Sequence, residues 1–291
     1  MNQIKIGADI ELGFKIKPGN CINVPYYALR GQGRQIGTDH HGDVVELRPR
    51  VANTPNQLVN NIRNLLKHIS KQNYKLISAP YIEVDHSDYG TSKRGCPVGG
   101  HIHLSWSDKN IRYGSRHVSY CYCWQCMKLN PNNENSHIQF DSRVTFQYLD
   151  MLSSIIEDPY LAKRRRSSGY GGKYSFRDVS ETHIEYRRLP SFLFDPFCTR
   201  GILSFAYAVL QYELNLAQSD SVSLKQLKRE TKEKTSPGNQ SKYKQYLKDM
   251  AEKLPWFSKH KGDASALKHL LNRKLPLPTK RNILINWGLT K

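Results

Sequence analysis

The stretch "IKIGADIELGFKI", residues 4–16, alternates apolar and polar side chains along its whole length. Every second residue from Ile4 to Ile16 is apolar, and this is the period of a β-strand with one buried face. The opposite face carries Asp9 and Glu11. The pattern therefore predicts a long strand with a hydrophobic core on one side and carboxylates on the other.

Strands predicted at 42–50, 99–107 and 182–191 repeat this division into an apolar and a polar face. Their polar faces carry Glu46 and Arg48 in the first, His101, His103 and Ser105 in the second, and His183, Glu185 and Arg187 in the third. If the four strands are neighbours, their carboxylates repel one another by about 1–4 kcal/mol per pair at effective dielectric constants between 80 and 20. Bound cations would remove this repulsion. A solvated sheet face is the alternative for any single strand.

Carboxylates grouped with a histidine are suitable ligands for Mg²⁺ or Mn²⁺ bound beside a phosphate. Arg48 and Arg187 would then bind anionic oxygens, since a guanidinium group can bind two oxygens at once. A predicted loop over 162–178, "AKRRRSSGYGGKYSFRD", adds cations between glycines, which would allow it to close over phosphates. The loop lacks the spacing of a phosphate-binding P-loop, and a basic surface loop is the alternative.

Helical periodicity and turn signals predict an α+β organisation. We expect a domain over residues 1–218, with a cysteine-rich insertion at about 112–140, followed by a basic helical C-terminal extension over 219–291. The predicted helices cover 53–72, 142–158 and 196–217, and a Lys/Glu-rich link after them leads to a helix near 240–254 and shorter segments near 264–273 and 279–287.

The chain of 291 residues carries a formal charge of +19, and residues 221–291 contain 17 basic and five acidic side chains. A basic tail attracts polyanions such as nucleic acid, although a solvated helical appendage would have the same composition. No run of about 18 apolar residues occurs, and the N-terminus lacks the apolar region of a signal peptide. We therefore expect a cytoplasmic protein without membrane insertion. The sequence does not indicate its oligomeric state.

The segment "SRHVSYCYCWQC", residues 115–126, groups three cysteines next to a histidine. Cys121, Cys123, Cys126 and His117 together are the donor set of a tetrahedral structural Zn²⁺ site. The spacing differs from the usual pair of C-x-x-C motifs, and three reduced cysteines in an insertion are the alternative.

Five motifs resemble, in order, those of the phage-type COOH–NH2 ligases, amidoligases of type 2 in the glutamine synthetase/glutamate–cysteine ligase superfamily. They are "GADIELGF", "DHHGDVVELRP", "VGGHIHLSW", "YGGKYSFR" and "IEYRRLPS", and they span about residues 4–195. The resemblance implies an antiparallel sheet whose concave face binds ATP and divalent cations. It also implies ATP-dependent joining of a carboxylate to an amine through an acyl phosphate, with substrates that are small molecules, peptides or proteins.

The resemblance also implies roles for individual residues. The Mg²⁺ or Mn²⁺ ligands would be Asp9, Glu11, Glu46, His101 and Glu185. Contacts to the nucleotide would come from His103, Arg166, Lys173 and Arg177, and Arg187, Arg48, Lys173 and Arg177 would act in catalysis. Two departures from glutamine synthetases are the shorter Asp9 in place of a glutamate and His183 in place of an arginine.

Two other functions remain compatible with the sequence. A nucleic-acid-associated protein would bind the nucleic acid through its basic tail. A metal-dependent hydrolase would use the same histidines and carboxylates to activate water. If the protein is phage-encoded, its location would be the cytoplasm of the host cell.

Overall fold

The protein is described here by a computed structural model. The structure describes residues 3–15, 21–22, 35–39, 44–71, 75–85, 94–109, 111–113, 138–140, 142–169, 176–236, 238–277 and 282–290. The cluster of Cys121, Cys123 and Cys126, together with His117 and Lys173, lies outside these residues. The zinc site therefore stays a prediction.

Seven strands form the main sheet, in which all strand pairs are antiparallel. Its strands are β1 (Ile4–Lys15), β3 (Ile36–Asp39), β4 (Val44–Leu47), β5 (Lys75–Ile77), β8 (Gly100–Trp106), β11 (Phe176–Ser180) and β12 (His183–Tyr186). Their order is β11-β12-β8-β1-β4-β3, and β5 pairs with the end of β1, at Gly13–Lys15, on the side opposite to β4. The four predicted strands with polar faces are thus direct neighbours, in the order β12-β8-β1-β4.

Two smaller sheets complete the described strands. One joins β2 (Cys21–Ile22), β6 (Tyr81–Asp85) and β7 (Arg94–Pro97), and the other pairs β9 (Ile111–Tyr113) with β10 (Ile138–Phe140). The first small sheet contributes to a second hydrophobic cluster that includes Val44, Ile77, Val84 and Val98. Val44 lies two residues before Glu46 on β4, so its side chain points to the same side of the main sheet. The second hydrophobic cluster therefore lies at one end of the main sheet, on the same side as Glu46.

Nine α-helices are described. They are α1 (Pro55–Ser70), α2 (Arg143–Ile156), α3 (Pro159–Ser167), α4 (Pro196–Ser219), α5 (Ser221–Lys234), α6 (Tyr243–Lys253), α7 (Pro255–Lys259), α8 (Lys261–Asn272) and α9 (Ile283–Asn286). None of the described helices has a stretch that is both long and apolar enough to cross a membrane.

The main hydrophobic core lies between one face of the seven-stranded sheet and helices α1, α2 and α4. The alternate apolar residues of β1, from Ile4 to Phe14, are at most 2% exposed and all belong to this core. Burying one large aliphatic side chain contributes about 1.5–3 kcal/mol. Strand β1 thus supplies a large part of the apolar face, and the predicted strand with one buried face is confirmed.

Two predicted irregular segments are helical. Residues 164–166, expected in a loop, lie on α3, which begins at Pro159. Asp158 caps this helix, because its Oδ1 accepts hydrogen bonds from the amides of Tyr160 and Leu161, both at 3.0 Å. Pro159, directly after the helix predicted over 142–158, therefore starts the next helix, at a position that tolerates proline well.

The expected Lys/Glu-rich link after residue 218 contains α5. Its Leu224, Leu227 and Thr231 lie on one side and are buried. These three residues join the helix to the rest of the fold despite its many charges. Hydrophobic side chains from both sides of residue 218 contribute to the same core, which includes Leu227, Leu247 and Trp287. The division of the chain at 218 stays a prediction.

Candidate functional site

The second face of the seven-stranded sheet carries the charged residues that the alternation predicts. We call it the polar face and define it by Asp9, Glu11, Glu46, Arg48, His101, His103, Arg177, His183, Glu185 and Arg187. Strand register brings these residues together, because residues opposite each other on neighbouring strands point to the same side. Asp9 lies opposite His101, Glu11 opposite Glu46, and Glu185 opposite both His103 and Arg177.

Glu11 is 1% exposed, so its carboxylate needs partners inside the protein. The backbone amide of Gly99 donates a hydrogen bond to Glu11 Oε2 at 2.6 Å, and the amide of Glu11 donates to the Gly99 carbonyl at 2.9 Å. The next residue, Gly100, faces the core, where a Cβ would lie 2.3 Å from a ring carbon of Phe192. The amide of Gly99 therefore binds Glu11 on the polar side of the sheet. On the core side, the absence of a side chain at Gly100 leaves room for the ring of Phe192.

Glu46 pairs with the guanidinium group of Arg48, two residues further along the chain. Glu46 is 8% exposed. Gly37, on β3, lies opposite Glu46, and a Cβ at Gly37 would lie 2.5 Å from Arg48 Nη1. The glycine thus leaves the space in which Arg48 reaches its carboxylate.

Glu185 is the centre of the densest ion-pair network on the polar face. Its Oε1 lies 3.1 Å from His101 Nδ1 and 3.4 Å from Arg187 Nε, and its Oε2 lies 2.6 Å from Arg177 Nη2. Burial alone would raise the pKa of Glu185, but the hydrogen bond from His101 and the neighbouring positive charges lower that pKa to about 2. Glu185 is therefore ionised at neutral pH.

The contact with Glu185 also defines the tautomer of His101. Burial lowers the pKa of His101, so its imidazole is neutral at neutral pH. An ionised carboxylate only accepts hydrogen bonds, and His101 Nδ1 therefore carries the proton that it donates to Glu185. The lone pair of the neutral ring then lies on Nε2. Metal-binding histidines typically have this arrangement, with the second ring nitrogen donating to a carboxylate.

A second chain of contacts joins Asp9, His103 and His183. His103 Nε2 lies 3.1 Å from Asp9 Oδ2, and His103 Nδ1 lies 3.1 Å from His183 Nε2. Burial would raise the pKa of Asp9, but the hydrogen bond and the charge of His103 outweigh this effect and lower it. The pKa of His183 is also lowered, first by burial and then by His103. Asp9 is thus a second ionised carboxylate on this face.

A fully buried arginine holds the segment that follows β12. Arg165, on α3, has 0% exposure and donates hydrogen bonds to the carbonyls of Arg188 at 2.6 Å and Leu189 at 2.8 Å. Its Nη1 also lies 3.0 Å from Glu157 Oε1. The Leu189 carbonyl accepts a further hydrogen bond from the Gly100 amide at 3.0 Å. Arg165 therefore fixes the segment after β12 against the start of β8.

The structure gathers most, but not all, of the residues that the sequence analysis selected. Among the described residues, no three of the predicted metal-binding side chains bring their ligand atoms within 4.8 Å of one another. Arg166 lies on α3, and its Nη1 is 3.5 Å from Glu157 Oε2. The alternation did place His183 on the polar face, but it gave no sign of the contact with His103. The roles of Arg165 and Glu157 were missed, because a buried ion pair between them has no local sequence pattern.

The donor set fits hard divalent cations. Four carboxylates and a neutral histidine lie on adjacent strands, and Asp9 and Glu185 have lowered pKa values. Oxygen donors of this kind are the preferred ligands of Mg²⁺ and Mn²⁺. In the described arrangement, side-chain cations neutralise the carboxylates of Glu46 and Glu185. A metal ion would take over that neutralisation.

Solved structures that are similar to this chain include two of low sequence identity. One is a bifunctional glutathione synthetase from Pasteurella multocida, with a TM-score of 0.46 and 12% identity, and the match covers 92% of this chain and 46% of that one. The other is a novel glutamine synthase homolog, with a TM-score of 0.42, 11% identity and coverage of 93% and 67%. The chain thus spans less than half the length of the glutathione synthetase. Comparison with the curated proteins gives no match.

The sequence matches the family described as phage phiEco32-like COOH.NH2 ligase-type 2 over residues 6–113 and 137–289. The matched regions include β1, β4, β8 and β12, which carry the polar face. They also include the C-terminal helices, beyond the span of about 4–195 that the motifs indicated. The chain belongs to the family of phage phiEco32-like COOH.NH2 ligases of type 2.

Proposed function

We propose that the protein is an ATP-dependent carboxylate–amine ligase and that the polar face is its reaction site. Family membership supports the ligase class. The observation that carries the proposal is the convergence of four carboxylates, three histidines and three arginines on one face of four adjacent strands and β11. Phosphoryl transfer requires positioning and charge neutralisation rather than a covalent nucleophile, and this face offers both.

The residues that would hold divalent cations are Asp9, Glu11, Glu46, His101 and Glu185. When bound, Mg²⁺ or Mn²⁺ would neutralise the negative charge of the ATP phosphates. Glu11 and Glu185 suit this role because both are 1% exposed and are held by hydrogen bonds or ion pairs. His101 suits it because its Nδ1 is occupied by Glu185, which orients the ring.

Three arginines would bind the anionic groups of the substrates. Arg48, Arg177 and Arg187 now lie against Glu46 and Glu185. Their side chains are 41%, 60% and 34% exposed, so each can reach solvent. Cation binding to the carboxylates would release these guanidinium groups, which could then pair with phosphate or carboxylate oxygens. His103, Arg166 and Lys173 remain predicted nucleotide contacts.

The proposed reaction has two steps. An oxygen of the substrate carboxylate attacks the γ-phosphorus of ATP, which forms an acyl phosphate and releases ADP. The amine then attacks the acyl carbon, loses a proton to solvent or a neighbouring base, and displaces inorganic phosphate to leave an amide.

The experiment that tests the proposal measures phosphate release by the full-length protein with Mg²⁺ and ATP. Pools of carboxylates and amines are added separately and together. We expect release only when an acid and an amine are both present. Glu11→Gln and Glu185→Gln should reduce it to the background without protein, whereas Glu233→Gln, which removes an exposed carboxylate on α5, should not change it.

Hydrolysis is the main alternative for the same residues. A metal-dependent hydrolase would turn over its substrate without a nucleotide, whereas the ligase requires ATP. Phosphate release that needs no amine, or product formation that needs no ATP, would contradict the ligase assignment.

Contact with a polyanion through the C-terminal region stays a second proposal. The exposed side of α5 carries Lys225, Arg229 and Lys232, spaced so that they lie on one side of the helix. Binding through these residues would weaken with salt, and the slope of log affinity against log salt would fall when they are replaced. Such a surface would recruit an acidic macromolecular substrate to the ligase.

A further inference from the structure

A second group of potential metal ligands lies away from the polar face, at the start of α4. Asp195, Cys198 and His269 each have one donor atom in the group, and these atoms lie within 4.8 Å of one another. Asp195 is the N-cap of α4 and accepts a hydrogen bond from the Cys198 amide at 2.7 Å, Cys198 lies in the first turn of α4, and His269 lies on α8. Helix α4 packs against the apolar face of the sheet, on the side opposite to the polar face.

The three donors are chemically different from those of the polar face. A thiol, an imidazole and a carboxylate together suit Zn²⁺, which binds sulfur, nitrogen and oxygen ligands in a tetrahedral site. Tetrahedral zinc places its ligand atoms about 3.3–3.6 Å apart. The donor atoms of Asp195, Cys198 and His269 lie within 4.8 Å of one another, so they need to approach one another by about 1 Å. His269 is exposed, which leaves its ring able to make this adjustment.

A positive charge already lies among these donors. The guanidinium group of Arg273 pairs with Asp195 Oδ2, and its Nη1 lies 3.4 Å from Cys198 Sγ. The Arg273 side chain is 32% exposed, and its Cζ lies 4.8 Å from the centre of the Phe194 ring. The stacking contact with Phe194 gives Arg273 a second partner when it leaves Asp195. The site thus attracts a cation, and the arginine can give way to one.

An open cavity adjoins the donors. It has a volume of about 330 Å³ and is lined by Asp195, His269, Arg273 and Phe197, among others. Phe197 is 52% exposed and its ring lies edge-on to His269, with centroids 5.5 Å apart. A zinc ion with three protein ligands keeps one position for water or a ligand group. The cavity gives that fourth position access to solvent.

We propose that Asp195, Cys198 and His269 form a Zn²⁺ site whose fourth position opens into this cavity, and that Arg273 occupies the cation position when zinc is absent. Zinc binding releases the thiol proton of Cys198 to solvent and moves Arg273 away from Asp195. The site is independent of the proposed ligase activity, because it shares no residue with the polar face.

Co²⁺ serves as the spectroscopic probe, because a cobalt–thiolate bond gives a charge-transfer absorption band that carboxylate and imidazole ligands do not. The full-length protein is used with Cys121, Cys123 and Cys126 replaced by serine, so that the predicted cysteine cluster cannot contribute. We expect the thiolate band to saturate at one equivalent of Co²⁺ and to disappear on addition of Zn²⁺. Cys198→Ser should abolish the band, and His269→Ala should weaken Co²⁺ binding at least tenfold.

Arg273→Gln distinguishes this site from adventitious binding to a thiol. The substitution removes the competing positive charge, and we expect Co²⁺ to bind at least tenfold more tightly. If the triple serine protein does not fold, zinc content of the native chain and of Cys198→Ser gives the same comparison, with one fewer zinc expected in the variant. A thiolate band that persists in Cys198→Ser, an affinity unaffected by Arg273→Gln, or equal zinc content in the two chains would overturn the proposal.

Discussion

The two faces of the seven-stranded sheet are built from alternate residues of the same strands, yet different interactions stabilise them. On the apolar face, Ile6, Ile10 and Ile102 are fully buried in the main core. On the polar face, Glu11 and Glu185 are almost as buried, but their partners are an amide, an imidazole and two guanidinium groups. Burial of these particular side chains is therefore similar, and the chemistry of their partners distinguishes them.

This difference separates stability from function. Apolar contacts stabilise the fold in proportion to the area removed from water, and they depend little on direction. Buried ion pairs recover a desolvation cost, so their net contribution to stability is small. Carboxylates held by exchangeable cations can instead receive a metal ion without a large rearrangement. We infer that the polar face is arranged for binding and the apolar face for stability.

Arg165 is the clearest exception to this separation of stability from binding, because it is a charged side chain that is fully buried beside the core. Arg165→Met removes one hydrogen-bond donor from Glu157 and from each of the carbonyls of Arg188 and Leu189. We expect a loss of about 3–5 kcal/mol in the free energy of unfolding, measured by urea denaturation. The control Arg164→Met, on the same helix and partly exposed, should change it by less than about 1 kcal/mol. Equal effects of the two substitutions would contradict the role given to Arg165.

The second test compares neighbours on β8. Ile102→Ala removes a side chain that is 0% exposed in the core, and we expect a loss of about 2–5 kcal/mol in the free energy of unfolding. His103→Gln, on the next residue and the opposite face, should cost less stability and should weaken binding of Mg²⁺ and ATP. Calorimetric titration and denaturation of both variants measure the two effects. A larger loss of stability in His103→Gln than in Ile102→Ala would contradict the roles given to the two faces of the sheet.

The pH dependence of the unfolding free energy tests whether Glu185 is ionised in the folded protein. Its pKa is about 2 in the folded protein against an ordinary value of 4.5. Because the folded-state pKa is the lower one, the stabilisation is present above pH 4.5 and is lost as pH falls towards 2. Glu185→Gln should therefore show a shallower loss of stability over this range, with a slope smaller by up to about 1.4 kcal/mol per pH unit. Parallel curves for the two proteins would show that Glu185 does not titrate in this way.

The smallest expected effect follows from Gly37. A Cβ at this position meets the end of the flexible Arg48 side chain, which can move at little cost. We expect Gly37→Ala to change the unfolding free energy by less than about 1 kcal/mol. It should nevertheless displace Arg48 from Glu46 and raise the affinity for Mn²⁺ alone by severalfold. The exposed Thr38→Ala is the matched control, and an unchanged Mn²⁺ affinity in Gly37→Ala would show that Arg48 does not compete for Glu46.

Much of the sheet could be predicted from sequence, because a strand with one buried face has a strict period of two. The same period placed Asp9, Glu11, His101 and Glu185 on one side. Pairing could not be predicted, since the contact of His103 with His183 depends on which strands are neighbours and on their register. Helix α3 was missed because three consecutive arginines suggested a loop, whereas the capping Asp158 and Pro159 begin a helix there.

The contacts of Arg165 and the group of Asp195, Cys198 and His269 illustrate a second limit. Each group joins residues that are far apart in the sequence, and each residue alone has an ordinary sequence context. Only the packing of α4 against α8, and of α3 against the segment after β12, brings them together. Sequence patterns predict elements with a regular period, and they do not predict contacts between distant elements.

The most direct test of the central claim is a crystal structure of the protein with Mn²⁺ and a non-hydrolysable ATP analogue, in which anomalous scattering locates the manganese. We expect manganese within coordination distance of Glu11, Glu46 and Glu185, with the phosphates beside Arg177 or Arg187. Manganese and nucleotide bound elsewhere, with the ion pairs of Glu46 and Glu185 unchanged, would contradict the account.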